Sequence, residues 1–126
     1  MPHVVLHSPL DLDMIQEKYG RWQFSTDECH VSFMELFRAH EGAALFVETY
    51  LKEAPLSQRL GLVIRLRQPG NYVIGLHELG FPRPTAGVQL AIAQLANWLV
   101  GLHEKAHILH HNLQPDVLEL EVSHAA

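Results

Sequence analysis

Residues 103–107 read His-Glu-Lys-Ala-His. On an α-helix successive residues turn by about 100°, so two imidazoles four positions apart share one face. Placed that way, His103 and His107 could hold a single metal ion, and Glu104 beside them could take a proton from metal-bound water. His110 and His111 fall one turn further along and complete a set of four candidate metal ligands. A further ligand could come from Glu119 or Glu121, or from His3 and His7 should the first strand pack nearby. On this reading Glu104 is the catalytic candidate and zinc the cofactor.

The pentapeptide is similar to the His-Glu-x-x-His motif of the zincin metallohydrolases. That resemblance implies zinc on His103 and His107 with Glu104 as general base. The chain departs from the pattern at Lys105, which would stand beside the metal's charge. It departs again in Ile-Leu-His-His-Asn-Leu, which has neither a glycine turn nor a correctly spaced third histidine, and in Glu119, which follows too closely. The same residues have a second explanation. Cations in the last turn of a helix oppose its negative pole, worth about 0.3–1 kcal/mol each when exposed, and Lys105, His107, His110 and His111 are placed to do so.

Two other candidates carry chemistry. Pro2 follows Met1 at the head of an apolar strand, "MPHVVL", which resembles the start of tautomerase-superfamily enzymes over about five residues. The resemblance implies a secondary amine acting as general base once Met1 is removed; the family's arginine has no assigned counterpart here. Cys29 and His30 are sequence neighbours, but neighbours on a strand point to opposite faces, so a half-buried free cysteine is the expectation. Gly61, Gly70, Gly75 and Gly80 lack the strand-glycine-helix context of a phosphate loop. Trp22, Phe24, Phe81 and Trp98 read as core or interface residues.

The elements that must position these residues follow from periodicity. His3 to His7 reads as a strand, with Val4 and Leu6 on one side and His3, Val5 and His7 on the other. Ser8-Pro9 opens a short helix with Leu12, Ile15 and Tyr19 on its apolar face and Gly20 as its stop. From Trp22 to Leu79 the period is two. Val31 to Phe37 and Leu45 to Leu51 form one hairpin around Gly42, while Leu62 to Arg67 and Tyr72 to Leu76 form another around Pro69-Gly70. Leu62, Ile64 and Leu66 share one face and Val63, Arg65 and Arg67 the other, so one side of the sheet is buried and one is wetter. Thr85 caps a long helix whose stripe runs through Val88, Ile92, Leu95, Leu99, Leu102, Ala106 and Leu109 to about residue 111. "DVLELEV" supplies a last strand.

The expected architecture is therefore α+β: an antiparallel meander of two hairpins plus N- and C-terminal strands, packed against a helix of about 85–111 and a short N-terminal helix. The 126 residues suit one domain spanning 1–126, and 48% hydrophobic composition suffices for a core. The single cysteine forms no intrachain disulfide. Met1 to His7 lacks the features of a signal peptide, and no run approaches a membrane span, which points to the cytoplasm. A net charge of −5 argues against a general nucleic-acid partner. Arg59, Arg65 and Arg67 form one local basic group. Together these features point to a small acidic, non-enzymatic protein-binding module of the chaperone, immunity or regulator kind, forming a homodimer or contacting another protein. A zinc hydrolase built on 103–107 and a tautomerase-like enzyme built on Pro2 are the alternatives. Ten histidines also admit a pH switch between about pH 5 and 7.

Overall fold

The computed structural model describes residues 1–77 and 84–124. The end of the period-two pattern at Leu79, together with Gly80 and Phe81, lies outside the described residues. In chain order the strands are β1 (His3–His7), β2 (Trp22–Ser25), β3 (His30–Arg38), β4 (Ala44–Glu53), β5 (Leu56–Gln68), β6 (Asn71–Leu76), β7 (His107–His111) and β8 (Ser123–His124). Helix α1 (Leu12–Lys18) follows β1, and α2 (Ala86–Val100) lies between β6 and β7. All eight strands pair antiparallel in one sheet ordered β7-β1-β6-β5-β4-β3-β2-β8. The α+β meander read from the sequence is the architecture observed.

Both hairpins form where the turn chemistry placed them. Gly42 and Gly70 sit at φ 82° and 83°, a region costly for any side chain with a Cβ. One face of the sheet packs against α2 and α1. Val4, Leu6, Leu45, Leu62, Ile64 and Ile74 are fully buried there, against Val88, Ile92, Leu95 and Leu99 of α2. Each such side chain contributes about 1.5–3 kcal/mol through its removal from water. That strand alternation leaves His3, Val5, Val63, Arg65, Arg67 and Val73 on the opposite face, which no helix among the described residues covers.

Three boundaries differ from expectation. The first helix is capped by Asp11, whose Oδ1 accepts from the Met14 amide at 2.9 Å. Ser8 is held elsewhere, its own amide donating to the Gly70 carbonyl at 2.9 Å, and the helix ends at Lys18 before Tyr19.

The second helix stops at Val100, not near residue 111. Gly101 ends it, and a turn over 102–106 reverses the chain so that β7 pairs with β1, His107 opposite His7 and Ile108 opposite Leu6. Leu102, Ala106 and Leu109 continue the helical spacing, yet the unpaired backbone edge of β1 takes this segment into the sheet. Long-range pairing overrides local periodicity.

The expected strand over "DVLELEV" is a 3-10 turn at Val117–Glu119, with only Ser123–His124 joining β2. Side chains of α2 claim its carbonyls. Asn97 Nδ2 donates to Leu118 O at 2.8 Å and Gln94 Nε2 to Leu120 O at 3.5 Å. Among the described residues no helix is long and apolar enough to cross a membrane.

Candidate functional site

The helical geometry expected of His-Glu-Lys-Ala-His is absent. His103 lies in the turn after α2, where its Nδ1 accepts from the Lys105 amide at 3.0 Å. Glu104 is exposed in the same turn, and His107 begins β7. The spacing of four therefore no longer puts His103 and His107 on a common helical face. His110 and His111 lie on β7 opposite Val5 and Val4, so they turn to different faces of the sheet. His111 Nδ1 accepts from the Leu113 amide at 3.1 Å. Among the described residues no three His, Cys, Asp or Glu side chains converge as a metal site would require.

What the fold assembles instead is a groove on the uncovered face, about 680 Å³ in volume. Strand β1 contributes His3 and Val5, β6 contributes Val73, Gly75 and Leu76, and β5 contributes Val63, Arg65 and Arg67. Pro2, Met1, His77 and His110 complete the lining. The valines form its floor. Val63 is only 7% exposed there. At Gly75 the wall lies close to the N-terminal segment: a Cβ there would stand 3.4 Å from the Pro2 carbonyl oxygen, an ordinary contact.

The N-terminus is fastened into the groove by paired hydrogen bonds. The His3 amide donates to Asn112 Oδ1 at 2.7 Å, and Asn112 Nδ2 donates back to the Met1 carbonyl at 2.8 Å. His3 Nδ1 also lies 3.0 Å from that carbonyl. Because a carbonyl only accepts, this contact requires the hydrogen on Nδ1. On the far side, Phe46 covers Gly61; a side chain at Gly61 would overlap its ring. The His77 ring meets the edge of Phe46, with centroids 5.1 Å apart, and Phe37, 53% exposed, extends the aromatic surface.

Electrostatically the face contrasts with the rest of the chain. Arg65 and Arg67 are exposed, and among the described residues no carboxylate pairs with either. Register and alternation put Arg59 and Lys52 on the same side, with Tyr50 and Glu48 between them. A second hollow of about 210 Å³ lies there, lined by Ser32, Met34, Glu48, Tyr50 and Arg59. In a chain of net charge −5, strands β4 and β5 among the described residues place Lys52, Arg59, Arg65 and Arg67 on this face together with Glu48.

Of the residues singled out in the sequence, Pro2 and His110 line this groove, whereas His103, Glu104, His107 and His111 do not. Arg65 and Arg67 were visible as a local basic group. Their company with Pro2, His3 and His110 was not, because it depends on β1 inserting between β6 and β7. Cys29 is buried at 9% exposure, its thiol 3.5 Å from the Thr26 hydroxyl, and its neighbour His30 bonds to Gln23 and Ser32 instead. The chain matches no protein-family model, no curated protein and no solved structure.

Proposed function

We infer that this protein is a non-enzymatic binding module that holds an acidic, partly aliphatic segment of another protein against the open face of its sheet. The observation that carries this reading is a valine-floored groove bordered by Arg65 and Arg67 in a chain that is otherwise acidic. A half-buried apolar floor favours aliphatic side chains. Guanidiniums with no carboxylate partner among the described residues favour carboxylates, which they grip in bidentate fashion, and the charge contrast steers an acidic partner to this face. Nothing in this arrangement requires a cofactor. The work is done by complementarity, and the cytoplasm is the compartment the composition suits.

The test uses a fluorescein-labelled peptide of alternating glutamate and leucine, with its lysine-for-glutamate counterpart as control. Fluorescence polarisation at low salt should show binding of the acidic peptide alone, weakening as salt rises. The double variant Arg65→Glu, Arg67→Glu should lose roughly tenfold or more in affinity, equivalent to at least about 1.4 kcal/mol. Equal binding of both peptides, or full binding by the double variant, would overturn the reading. A concentration-dependent dimer dissolved by the same double variant would place a second copy on this face instead.

A second reading rests on Pro2 lining the same groove as Arg65 and Arg67. With Met1 removed, its secondary amine would serve as a base beside guanidiniums able to hold a substrate carboxylate, as in a tautomerase-like enzyme. Intact mass decides it cheaply, because a retained Met1 acylates that nitrogen.

A further inference from the structure

We propose that His7 and His107 form a two-histidine clip for one divalent transition ion across the β1–β7 edge. The two residues stand directly opposite in the antiparallel register, on the same face, with ring centroids 5.4 Å apart. A zinc ion lies about 2.0–2.1 Å from each ligating nitrogen, hence roughly 3.2 Å from each ring centre, so a tetrahedral angle separates the centres by roughly 5.2 Å. The observed separation matches that requirement. The other histidine pair on this edge, His3 and His110, is 6.3 Å apart, a distance that would need a nearly linear ligand arrangement.

The ring contacts prepare the correct nitrogens. His107 Nδ1 lies 3.0 Å from the Lys105 carbonyl oxygen, an acceptor only, so Nδ1 carries the hydrogen and Nε2 keeps its lone pair. On His7, Nδ1 faces Asn71 Oδ1 at 3.4 Å, and the ring edge bearing it lies against Gly70. An oxygen behind the distal nitrogen is the arrangement that orients ligating histidines and raises their basicity. Gly70 has a structural part in this: a Cβ there would stand 2.9 Å from His7 Cε1 and push the ring out of line.

Two imidazoles select nitrogen-preferring ions, Cu2+, Ni2+ and Zn2+, over Mg2+ or Ca2+. Two protein ligands leave positions for water or for a donor from a bound partner, in keeping with the absence of a three-residue cluster among the described residues. The partner of His107 is thus His7 on a neighbouring strand and not His103 on its own segment.

The experiment titrates Zn2+ alone into the untagged full chain, purified without chelator or metal column, and follows heat. One ion per chain is expected. His7→Ala and His107→Ala should each weaken binding roughly tenfold or more, while His103→Ala and His110→Ala leave it unchanged. A parallel titration with Cu2+ reads the site without any variant: paramagnetic broadening of amide signals should centre on His7 and His107. Absence of binding, insensitivity to His7→Ala, sensitivity to His103→Ala, or broadening centred on residues 103–104 would each overturn the proposal.

Discussion

Replacing Tyr72 by phenylalanine tests how the buried side of the sheet holds the groove above it. Tyr72 is 1% exposed on β6, next in sequence to the groove-floor residue Val73, and its hydroxyl donates to the Leu10 carbonyl at 2.6 Å. That bond ties β6 to the segment joining β1 and α1. Removing the hydroxyl forfeits a hydrogen bond worth about 0.5–1.5 kcal/mol net and leaves a carbonyl short of a partner, so a loss of about 1–2 kcal/mol is expected. At about 2.1 cal/mol/K per residue, a chain of this length unfolds with an entropy of roughly 0.26 kcal/mol/K, and the loss becomes a fall in Tm of about 4–8 °C. Circular dichroism at neutral pH measures it.

Alkali supplies the second half of the test. Burial, aided by Asp11 and opposed by Arg38, raises the Tyr72 hydroxyl above its ordinary 10.0. Burial also raises Tyr19 to about 12, with Glu48 adding to the shift and Arg21 opposing it. A raised pKa means the folded state holds the proton more tightly than the unfolded one. The stability carried by these hydroxyls is therefore complete below about pH 10 and declines as pH climbs toward the folded-state values. Wild type should lose stability over that alkaline window, and Tyr72→Phe should lose less of it. An unchanged Tm at neutral pH would refute the assigned role of the Leu10 contact, and an identical alkaline decline in the variant would refute the raised Tyr72 pKa.

Two further outcomes follow from contacts outside the groove. Glu53 on β4 accepts from the Gly87 amide at 2.8 Å, at the start of a helix with no acidic residue in its first turn; Glu53→Ala should cost about 1–2 kcal/mol in denaturant unfolding, since a charge-assisted bond and a favourable dipole contact go together. Asn97→Ala should release the Leu118 carbonyl, costing about 1 kcal/mol and speeding hydrogen exchange over residues 117–124 while leaving β3 to β6 unaffected.

Local chemistry determined much of this protein. The hairpins at Gly42 and Gly70, the alternation through β3 to β6, the start of α2 at Thr85 and the division of β5 into a leucine-isoleucine face and a valine-arginine face all follow from side-chain period and turn residues read along the chain. These properties belong to neighbours within a few positions, so no distant partner is needed to read them. The end of α2, the strand nature of 107–111 and the company of Pro2 with Arg65 are of another kind. Leu102, Ala106 and Leu109 satisfy a helical stripe as well as they satisfy a loop and an edge strand. The choice rests with β1, from a hundred residues away, whose backbone groups are paired by β7 on one side and β6 on the other. Likewise Leu118 and Leu120 alternate as a strand would, but Asn97 and Gln94 take their carbonyls first. Periodicity settles which side chains share a face; only the tertiary structure settles which backbone groups satisfy one another, because a hydrogen bond carries no mark in the sequence of the partner it will find.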